Sequence, residues 1–347
     1  MENPAQELVG RTLEGGWKVV AKIPRHPKGT GGGFSVPYVV ESRDGSKAFL
    51  KALDYTDALN SPDPVKALNA MTAAYLFERD LLTRCGKRGM NRVVRALGSG
   101  VVRVDGAPGG GVVEYLIFEI AEGDVRYRLS VMEKVDLAWT LRCLHHIANG
   151  INQLHSVGIA HQDLKPSNVL VFEGDVSKVA DLGRASYKEV VGPFDEEECA
   201  GDTTYAPPEL LYGYCDPDWG LRRFGCDAYL LGSMVVFFFT GLSATAMLMS
   251  ELDSSFHWRR WAGGFLPVLA YLRDAFERVK TSFCSHIRDR QLGEELTLLV
   301  GQLCDPDPRL RGDPINRLRN ASPFSMERYM SKFDSLARRV EIKLIRG

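Results

Sequence analysis

The feature that most constrains this 347-residue chain is an apolar run from Ala228 to Ser250 that contains no charged residue. Its length reaches the threshold for a helix that spans a membrane. Small and polar residues such as Gly232, Ser233 and Thr240 interrupt the run. A helix that is buried on all sides inside a soluble domain has the same hydropathy. The run therefore predicts either a membrane span or the central helix of a helical domain.

Composition and charge favour a soluble globular protein. Hydrophobic residues make up 45% of the chain and charged residues 25%, which is an ordinary balance for such proteins. The length corresponds to about two domains. The formal net charge is -1, so we expect no nucleic-acid partner and no general attraction to a membrane surface.

The cysteines and the N-terminus favour the cytoplasm. The seven cysteines are odd in number and form no CxxC pair, which is typical of reduced thiols rather than of a disulfide framework or a zinc site. The N-terminal segment MENPAQELVGRTLEGG has no basic stretch followed by an apolar one, so no secretory signal is predicted.

Periodicity divides the chain into a strand-rich first part and a helical second part. Short segments rich in Val, Phe and Tyr, separated by Gly-containing turns, predict strands, and apolar residues at helical spacing predict helices. The predicted strands are 17–23, 34–42, 47–53, 93–104 and 111–123, and the predicted helices include 71–82, 137–154, 228–240 and 266–280. This order predicts an α+β fold.

The segment HQDLKPSNVLVFEGDVSKVADLG, residues 161–183, carries the clearest chemical signal. It places Asp163, Lys165 and Asn168 on one short loop, and Asp181 follows a second predicted strand. An isolated aspartate is most often a turn residue or a helix cap. Together, however, these residues supply a base, a cation and oxygen ligands for Mg²⁺, which are the groups that phosphoryl transfer needs.

Here the chain resembles the eukaryotic-type protein kinases, over roughly residues 17–313. HQDLKPSN resembles their catalytic loop HRDLxxxN, and DLG resembles DFG. The resemblance implies that Asp163 is the base for the substrate hydroxyl, and that Asp181 and Asn168 bind Mg²⁺. It also implies that Lys165 contacts the transferring phosphate, and its DLKPxN context is typical of serine/threonine kinases.

The nucleotide-binding residues follow from the same resemblance. AFLK resembles the third-strand VAIK motif, so Lys51 should bind phosphates and pair with a glutamate of the next helix, for which Glu78 fits better than Glu114 or Glu122. YLIFEIAEGD, residues 115–124, resembles the fifth strand and the hinge, with Phe118 as gatekeeper. The residues expected to contact ATP are Lys51, Gly31, Gly32, Gly33, Glu119, Ala121, Asp124 and Leu170.

Three further residues are expected to support the site. TTYAPPEL resembles the end of the family's activation segment, which implies that Glu209 pairs with Arg309 of CDPDPR. Asp227, at the head of the apolar run, resembles the aspartate that holds the catalytic-loop backbone. The apolar run then becomes the central helix of the C-terminal lobe, and no membrane span is expected.

The chain departs from the family pattern at four places. Its Gly-rich segment lacks the GxGxxGxV spacing, and Leu182 replaces the phenylalanine of DFG. Gln162 replaces the arginine that usually binds a phosphate of the activation loop, so we expect no requirement for such a phosphate. Asp202 falls where serine/threonine kinases usually have threonine, unless a one-residue slip places Thr203 there.

Two charged segments leave alternatives open. The acidic residues 195–198 either supply fixed negative charge to the activation segment or form a solvated loop. Residues 314–347 have a net charge of about +5 and apolar residues at helical spacing, which predicts a basic amphipathic helix. This helix either packs on its own domain or docks on an acidic partner, nucleic acid or an anionic membrane.

The sequence thus predicts a bilobal protein-kinase fold with an N-lobe at 17–121, a C-lobe at 122–313 and a basic, helical tail at 314–347. The expected function is transfer of phosphate from ATP, with Mg²⁺, to serine or threonine of protein substrates in the cytoplasm. The Gly-rich loop and short N-terminus resemble bacterial members of the family most. A pseudokinase scaffold and a small-molecule phosphotransferase remain as alternatives.

Overall fold

The chain folds into a strand-rich N-terminal lobe and a helical C-terminal lobe, which confirms the predicted α+β, bilobal class. The computed structural model describes residues 3–24, 34–104, 111–132, 136–319 and 321–346. The strands are β1 (Lys18–Lys22), β2 (Ser35–Glu41), β3 (Lys47–Leu53), β4 (Ala96–Arg103), β5 (Val112–Glu119), β6 (Gly123–Asp124), β7 (Ile159–Ala160), β8 (Val169–Phe172), β9 (Val176–Val179) and β10 (Ser186–Tyr187). The helices are α1 (Thr56–Leu59), α2 (Pro64–Lys87), α3 (Val125–Val131), α4 (Leu137–His155), α5 (Pro208–Leu211), α6 (Gly225–Thr240), α7 (Ala244–Glu251), α8 (Phe265–Ser285), α9 (Arg290–Leu303), α10 (Pro314–Leu318) and α11 (Glu327–Arg346).

One antiparallel sheet, in the order β1-β2-β3-β5-β4, forms most of the N-terminal lobe. Side chains alternate along each strand, so Val36, Tyr38 and Val40 of β2 lie on one buried face with Leu50 of β3. Lys51 is the next residue of β3 and therefore projects from the opposite face, where it is paired with Leu116 of β5. The alternation thus directs a lysine away from the apolar face of the sheet.

The N-terminal segment belongs to the same core. Ala5, Leu8 and Leu13 are buried in the apolar cluster of the sheet, and the hydroxyl of Tyr38 donates to the backbone oxygen of Ala5 at 2.6 Å. These residues precede position 17, where the sequence places the start of the lobe. The N-lobe core therefore extends further toward the N-terminus than the predicted boundary.

Helix α2 carries one buried face against the sheet. It begins with Pro64 in its first turn, and the Asp63 side chain caps it by accepting a hydrogen bond from the amide of Lys66 at 3.1 Å. Its buried residues are Tyr75, Glu78, Leu81, Leu82 and Cys85, at helical spacing. The only acidic residue in that buried set is Glu78, which needs a cationic partner.

Helix α6 lies at the centre of the C-terminal lobe and accounts for the apolar run. Together with the π-helical turn Gly220–Phe224 before it, it is long and apolar enough to cross a membrane, and it is the one helix of this kind in the described residues. In its most apolar stretch of 18 residues, 78% is buried inside the protein. Leu231, Met234 and Val235 are fully buried, so the helix has the environment of a core helix.

The predicted helix of the C-terminal tail is present as α11 and packs against α4. Tyr329 and Phe333 are fully buried in the core of the C-lobe. Arg142 of α4 forms ion pairs with Asp334 and with Glu341, the latter at 2.7 Å. Of the two alternatives for the tail, packing on its own domain is therefore the one that the structure shows.

Two small sheets position the loops with the chemical motifs. The strands β10 and β7 pair in one sheet, and β6, β8 and β9 form the other. Residues 161–168 run from β7 to β8, and Asp181 follows β9 directly after Ala180. The two motif segments thus follow short strands of different sheets, and residues 161–168 lead into β8, which pairs with the strand β9 that precedes Asp181.

Candidate active site

A partly buried ion pair joins the sheet of the N-lobe to α2. Lys51 Nζ lies 3.1 Å from Glu78 Oε2 and 3.3 Å from Oε1, as the sequence predicts. It also lies 3.5 Å from Asp181 Oδ1. Burial opposes the charge of Lys51, but Asp181 and Glu78 outweigh it and raise the lysine pKa. The ammonium group is therefore charged and shared by two carboxylates.

Asp181 faces the cleft between the lobes. Its backbone adopts a left-handed conformation with φ of +64°, and Gly183 donates its amide to Asp181 Oδ1 at 3.4 Å. The side chain is 47% exposed, whereas the next residue, Leu182, is fully buried in the apolar core that contains Leu82 of α2. Lys51 lowers the pKa of Asp181, so its carboxylate is held in the charged form that a cation would require.

Asp163 lies in a second group of polar residues on the catalytic loop. Asn168 Nδ2 donates to Asp163 Oδ2 at 3.0 Å and to its backbone oxygen at 2.8 Å. Lys165 Nζ lies 3.1 Å from Asp163 Oδ2, and the amide of Asp202 donates to Asp163 Oδ1 at 2.8 Å. The aspartate is thus held in one orientation by a cation, an amide side chain and a backbone amide.

His161 connects these two groups and was not among the predicted site residues. Its Nδ1 accepts a hydrogen bond from the amide of Asp163 at 3.2 Å, and its Nε2 lies 2.9 Å from the backbone oxygen of Ala180. Ala180 in turn donates its amide to the backbone oxygen of Asn168 at 2.8 Å. The catalytic loop and the strand that ends before Asp181 are therefore tied together by two hydrogen bonds.

Asp227, at the head of the apolar run, binds the catalytic-loop backbone. Its fully buried carboxylate accepts hydrogen bonds from the amides of His161 at 2.7 Å and Gln162 at 2.8 Å. His155 Nε2 lies 2.8 Å from the same carboxylate. Burial opposes ionisation of Asp227, yet the hydrogen bonds and His155 lower its pKa. These contacts agree with the supporting role expected from the sequence.

The register of the activation segment is resolved at Asp202. Its Oδ2 lies 3.5 Å from Lys165 Nζ, and its Oδ1 accepts hydrogen bonds from the amide and hydroxyl of Thr204. Thr203 is exposed. The alignment that counts back from Glu209 without a slip is therefore correct. It places the carboxylate of Asp202, rather than the hydroxyl of Thr203, beside Lys165.

The prediction that Glu209 pairs with Arg309 is wrong, because Arg311 occupies that place. Arg311 is fully buried and forms two hydrogen bonds to Glu209, at 2.7 and 2.8 Å. Arg309 is largely exposed, donates to the hydroxyl of Tyr214 and lies 3.6 Å from Asp216. The spacing DPxxR occurs twice in DPDPRLR, and only the second arginine points into the core.

The hinge residues lie beside the cleft, but their side chains have other partners. Glu119 Oε2 pairs with Lys178 at 2.6 Å, and Asp124 caps α3 by accepting from the amide of Tyr127 at 2.8 Å. Ala121 and Leu170 pack together against a small apolar cluster. Phe118 packs against Phe49 of β3, with ring centroids 6.4 Å apart. The predicted phosphate-loop glycines, Gly31, Gly32 and Gly33, lie outside the described residues.

The residues predicted to bind a metal suit a hard cation. Asp181 offers an exposed carboxylate, and because Asn168 donates from its Nδ2 to Asp163, its Oδ1, which also accepts from Ser167 Oγ at 3.4 Å, is the atom that could serve as a ligand. Oxygen ligands of this kind are those that Mg²⁺ prefers, usually together with phosphate oxygens of a substrate. Within the described part of the chain no cluster of three or more His, Cys, Asp or Glu could hold a metal alone.

Comparison with known proteins adds independent information. A family model described as protein kinase domain matches residues 71–316, more than half of the chain. "Cyclin-dependent kinase-like 2" of Pongo abelii is 30% identical over 209 residues, 56% of this chain and 40% of that protein.

Shorter matches have higher identity. "Cyclin-dependent kinase E-1" of Arabidopsis thaliana is 36% identical over 28% of this chain and 23% of that protein. "Proto-oncogene serine/threonine-protein kinase mos" of Sus scrofa is 37% identical over 24% of each. The chain therefore spans less than half the length of these curated relatives. The matched family, the bilobal fold and the two linked polar groups agree, and the chain belongs to the eukaryotic-type protein kinase family.

Proposed function

We propose that the protein is a serine/threonine protein kinase that transfers the γ-phosphate of ATP to a hydroxyl of a protein substrate. The observation that carries this proposal is the Lys51–Glu78 ion pair at 3.1 Å, formed with Asp181 also within 3.5 Å of the same ammonium. In this family, that pair and the DFG-type aspartate must both be in place for transfer. The names of the relatives support serine and threonine as acceptors.

Each polar residue has a role in this proposal. Asp163 accepts the proton of the substrate hydroxyl, and the hydrogen bonds from Asn168 and from the amide of Asp202 orient its carboxylate. Lys165, 3.1 Å from Asp163, stabilises charge on the transferring phosphate, and Lys51 binds the phosphates that stay behind. The backbone between Glu119 and Ala121 contacts the adenine.

We propose Mg²⁺ as the cation held by Asp181 and Asn168. When bound, it would neutralise charge on the phosphate oxygens of ATP. The protein's own contribution is to hold Asp181 charged through Lys51 and to fix Asn168 through Asp163. Mn²⁺ and Ca²⁺ in place of Mg²⁺, compared by transfer rate, distinguish the metal that the site accepts.

We also propose that activity requires no phosphate on the activation segment, residues 181–209. Gln162 is buried, and a neutral amide cannot supply the charge-assisted hydrogen bonds that bind a phosphate. Protein treated with phosphatase should therefore keep its activity. Loss of activity together with loss of a phosphate mapped to residues 184–205 would contradict this.

The decisive experiment combines purified protein with ATP, Mg²⁺ and a lysate, followed by phosphosite mass spectrometry. New phosphoserine or phosphothreonine sites that are absent with the Asp163→Asn variant support the proposal. Nucleotide binding without any transfer, even to the protein itself, would instead favour a pseudokinase. A small-molecule phosphotransferase is disfavoured because such enzymes generally lack the APPE segment, here anchored by the buried Glu209–Arg311 pair.

Two further expectations remain proposals. All seven cysteines are free thiols, which supports a reducing compartment, and we propose the cytoplasm. Docking of a protein partner on the tail would have to use the outer face of α11, because its inner face packs on α4. Deletion of 324–347 does not test this docking cleanly, since Tyr329 and Phe333 belong to the core. Charge reversal at the exposed Lys332 leaves that core intact and is the better test.

A further inference from the structure

The residue before the catalytic aspartate, Gln162, is bound by one arginine through both polar atoms of its side-chain amide. Gln162 is 4% exposed and adopts a φ of +67°. Its Nε2 donates to the backbone oxygen of Arg223 at 2.8 Å, and its Oε1 accepts a hydrogen bond from Arg223 Nη1 at 3.1 Å. The amide that replaces the family's arginine is thus itself a binding site for a guanidinium group.

Arg223 reaches Gln162 from the π-helical turn Gly220–Phe224, directly before α6. A π-helical turn contains more residues than an α-helical one and so re-aims the side chains around it; such turns are frequent at functional sites. Arg223 is 3% exposed. Because burial of an unpaired charge is strongly unfavourable, this guanidinium requires an anionic partner.

Asp195 of the activation segment is that partner. Arg223 Nη2 donates to the backbone oxygen of Asp195 at 2.8 Å and lies 3.3 Å from its Oδ1. The same carboxylate accepts hydrogen bonds from the hydroxyl of Ser186 and from the amide of Gly192, both at 2.7 Å. Asp195 is therefore not part of a solvated loop, and it ties three points of the activation segment together.

The other end of the network is the backbone that carries the catalytic aspartate. Gln162 Nε2 lies 3.3 Å from Asp227 Oδ1, and Asp227 accepts the amides of His161 and Gln162. These amides lie one and two residues before Asp163. A continuous path of hydrogen bonds and one ion pair thus leads from Asp195 through Arg223 to the catalytic loop.

We propose that Arg223 and Asp195 are positioning residues for phosphate transfer. Their ion pair, in which Arg223 is buried and Asp195 partly buried, holds the activation segment on the catalytic loop without any modification, in the place of a phosphate bound by an arginine at position 162. Arg223 supplies the cation that Gln162 lacks, and Asp195 supplies an anion that no other enzyme has to install. This inference rests on the proposed kinase function and extends it to the regulation of the same site.

The first test compares two neighbouring charge removals, Asp195→Asn and the matched control Glu196→Gln. Asp195→Asn keeps the shape of the side chain, and Glu196 is exposed. We expect Asp195→Asn to lower kcat about tenfold or more while KM for ATP stays within about twofold, because the pair does not contact the nucleotide. Equal kcat values for the two variants would overturn the proposal.

A double-mutant cycle tests whether the two residues act through each other. Arg223→Gln and Asp195→Asn should each lower kcat, and the double variant should be no worse than Arg223→Gln alone. Arg223→Lys, which keeps the charge, should recover part of the loss. Losses that multiply in the double variant would show two independent effects and overturn the pairing. If Arg223→Gln does not fold, the comparison of Asp195→Asn with Glu196→Gln decides alone.

Hydrogen exchange of the nucleotide-free protein tests the Arg223–Asp195 ion pair without any need for phosphate transfer. Amides of residues 184–205 should exchange faster in Asp195→Asn than in wild type, and Glu196→Gln should match wild type. If Asp195→Asn shows this faster exchange but the wild-type protein transfers no phosphate, the ion pair is a structural link and the proposed kinase function is rejected. If the wild-type protein transfers phosphate and Asp195→Asn has the same exchange rates and kcat, the positioning role is rejected and the kinase function stands.

Discussion

The two sides of the active site, one around Lys51 and the other around Arg223, differ in how their charged groups are paired and exposed. On the nucleotide side, Lys51 is shared by Glu78 and Asp181, and the Asp181 side chain remains 47% exposed to the cleft. On the activation-segment side, the Arg223 side chain is only 4% exposed, and its charge is matched by Asp195 inside the fold. The first cluster keeps charge accessible to a ligand, whereas the second uses its charge to hold two loops together.

The two sides of the active site also differ in how closely their residues follow the family pattern. Lys51, Glu78 and Asp181 match the family motifs residue by residue, as the proposed binding of a phosphate and a cation would require. On the other side Gln162 stands where the family pattern usually has arginine, and Arg223 of the turn before α6 supplies a guanidinium beside it. A guanidinium that only holds two loops together can come from another element, whereas the roles proposed for Lys51 and Asp181 need those groups at the ligand itself.

The largest effects are expected on the nucleotide side. Asp163→Asn should lower kcat about 10²- to 10⁴-fold while ATP still binds, because only the base is lost. Lys51→Met should impair both ATP binding and transfer. Steady-state kinetics and calorimetric titration with ATP measure the two effects separately.

Lys47→Met is the matched control for that side, since Lys47 is an exposed lysine on the same strand. It should leave both ATP binding and transfer near wild type. Wild-type turnover in Asp163→Asn would mean that another group is the base.

The next largest effect is expected on stability, at the buried ion pair between Arg311 and Glu209. Arg311→Gln should lower the free energy of unfolding by about 3–5 kcal/mol, because it leaves Glu209 buried without its partner. Arg309→Gln, in the same motif but exposed, should lower it by less than about 1 kcal/mol. Urea denaturation of both variants measures the difference. Similar values for the two would contradict the assignment of Arg311 as the buried partner, and Glu209→Gln gives a second estimate.

The pH dependence of stability tests His146, a partly buried histidine of α4. Burial, aided by Arg92, His145 and Arg142, lowers the pKa of His146 to about 4. Below pH 6.5 the unfolded chain therefore binds a proton that the folded protein does not, so stability is lost as pH falls from about 6.5 toward 4. At pH 5 this corresponds to about 2 kcal/mol, at 1.36 kcal/mol per pH unit.

The His146→Asn variant removes that titration and keeps an acceptor for the amide of Ser177, which His146 Nδ1 binds at 3.2 Å. Its stability should fall about 2 kcal/mol less than that of wild type between pH 7 and pH 5, as measured by denaturation at each pH. The exposed His286→Asn serves as the control. An identical pH dependence in His146→Asn and wild type would refute the assignment.

The smallest effect is expected at Asp202, which lies between the two sides. Asp202→Asn removes a negative charge 3.5 Å from Lys165, which should free that lysine for the transferring phosphate. We expect kcat/KM to rise about two- to tenfold, since the group is partly exposed and screened. A fall of more than about tenfold would instead mean that Asp202 holds Lys165 in its working position.

Thr203→Ala is the control for the register of this segment. Thr203 is exposed, so the variant should remain within about twofold of wild type in peptide phosphorylation. A large loss in Thr203→Ala would support the one-residue slip that the structure rejects.

Much of this architecture could be predicted because its signals are local. The strands β1, β2 and β3 and the helices α4 and α8 follow from periodicity, and Asp163, Asn168 and Asp181 follow from motifs in which the functional residues are close in sequence. Lys51 and Glu78 lie on different elements, but each is marked by its own motif, and their 3.1 Å contact is as expected.

By itself, then, the sequence determined the fold class, the central helix and the motif residues Lys51, Glu78 and Asp181, because periodicity and the chemistry of a motif restrict residue types at fixed spacings. The tertiary structure decided which of two arginines in DPDPRLR pairs with Glu209, and that Arg223 and Asp195 meet beside Gln162. Those choices depend on which side chain is buried among residues 28 or more positions away. Sequence spacing alone carries no information on that burial, whereas the packed fold places Arg311 beside Glu209 and Arg223 beside Asp195.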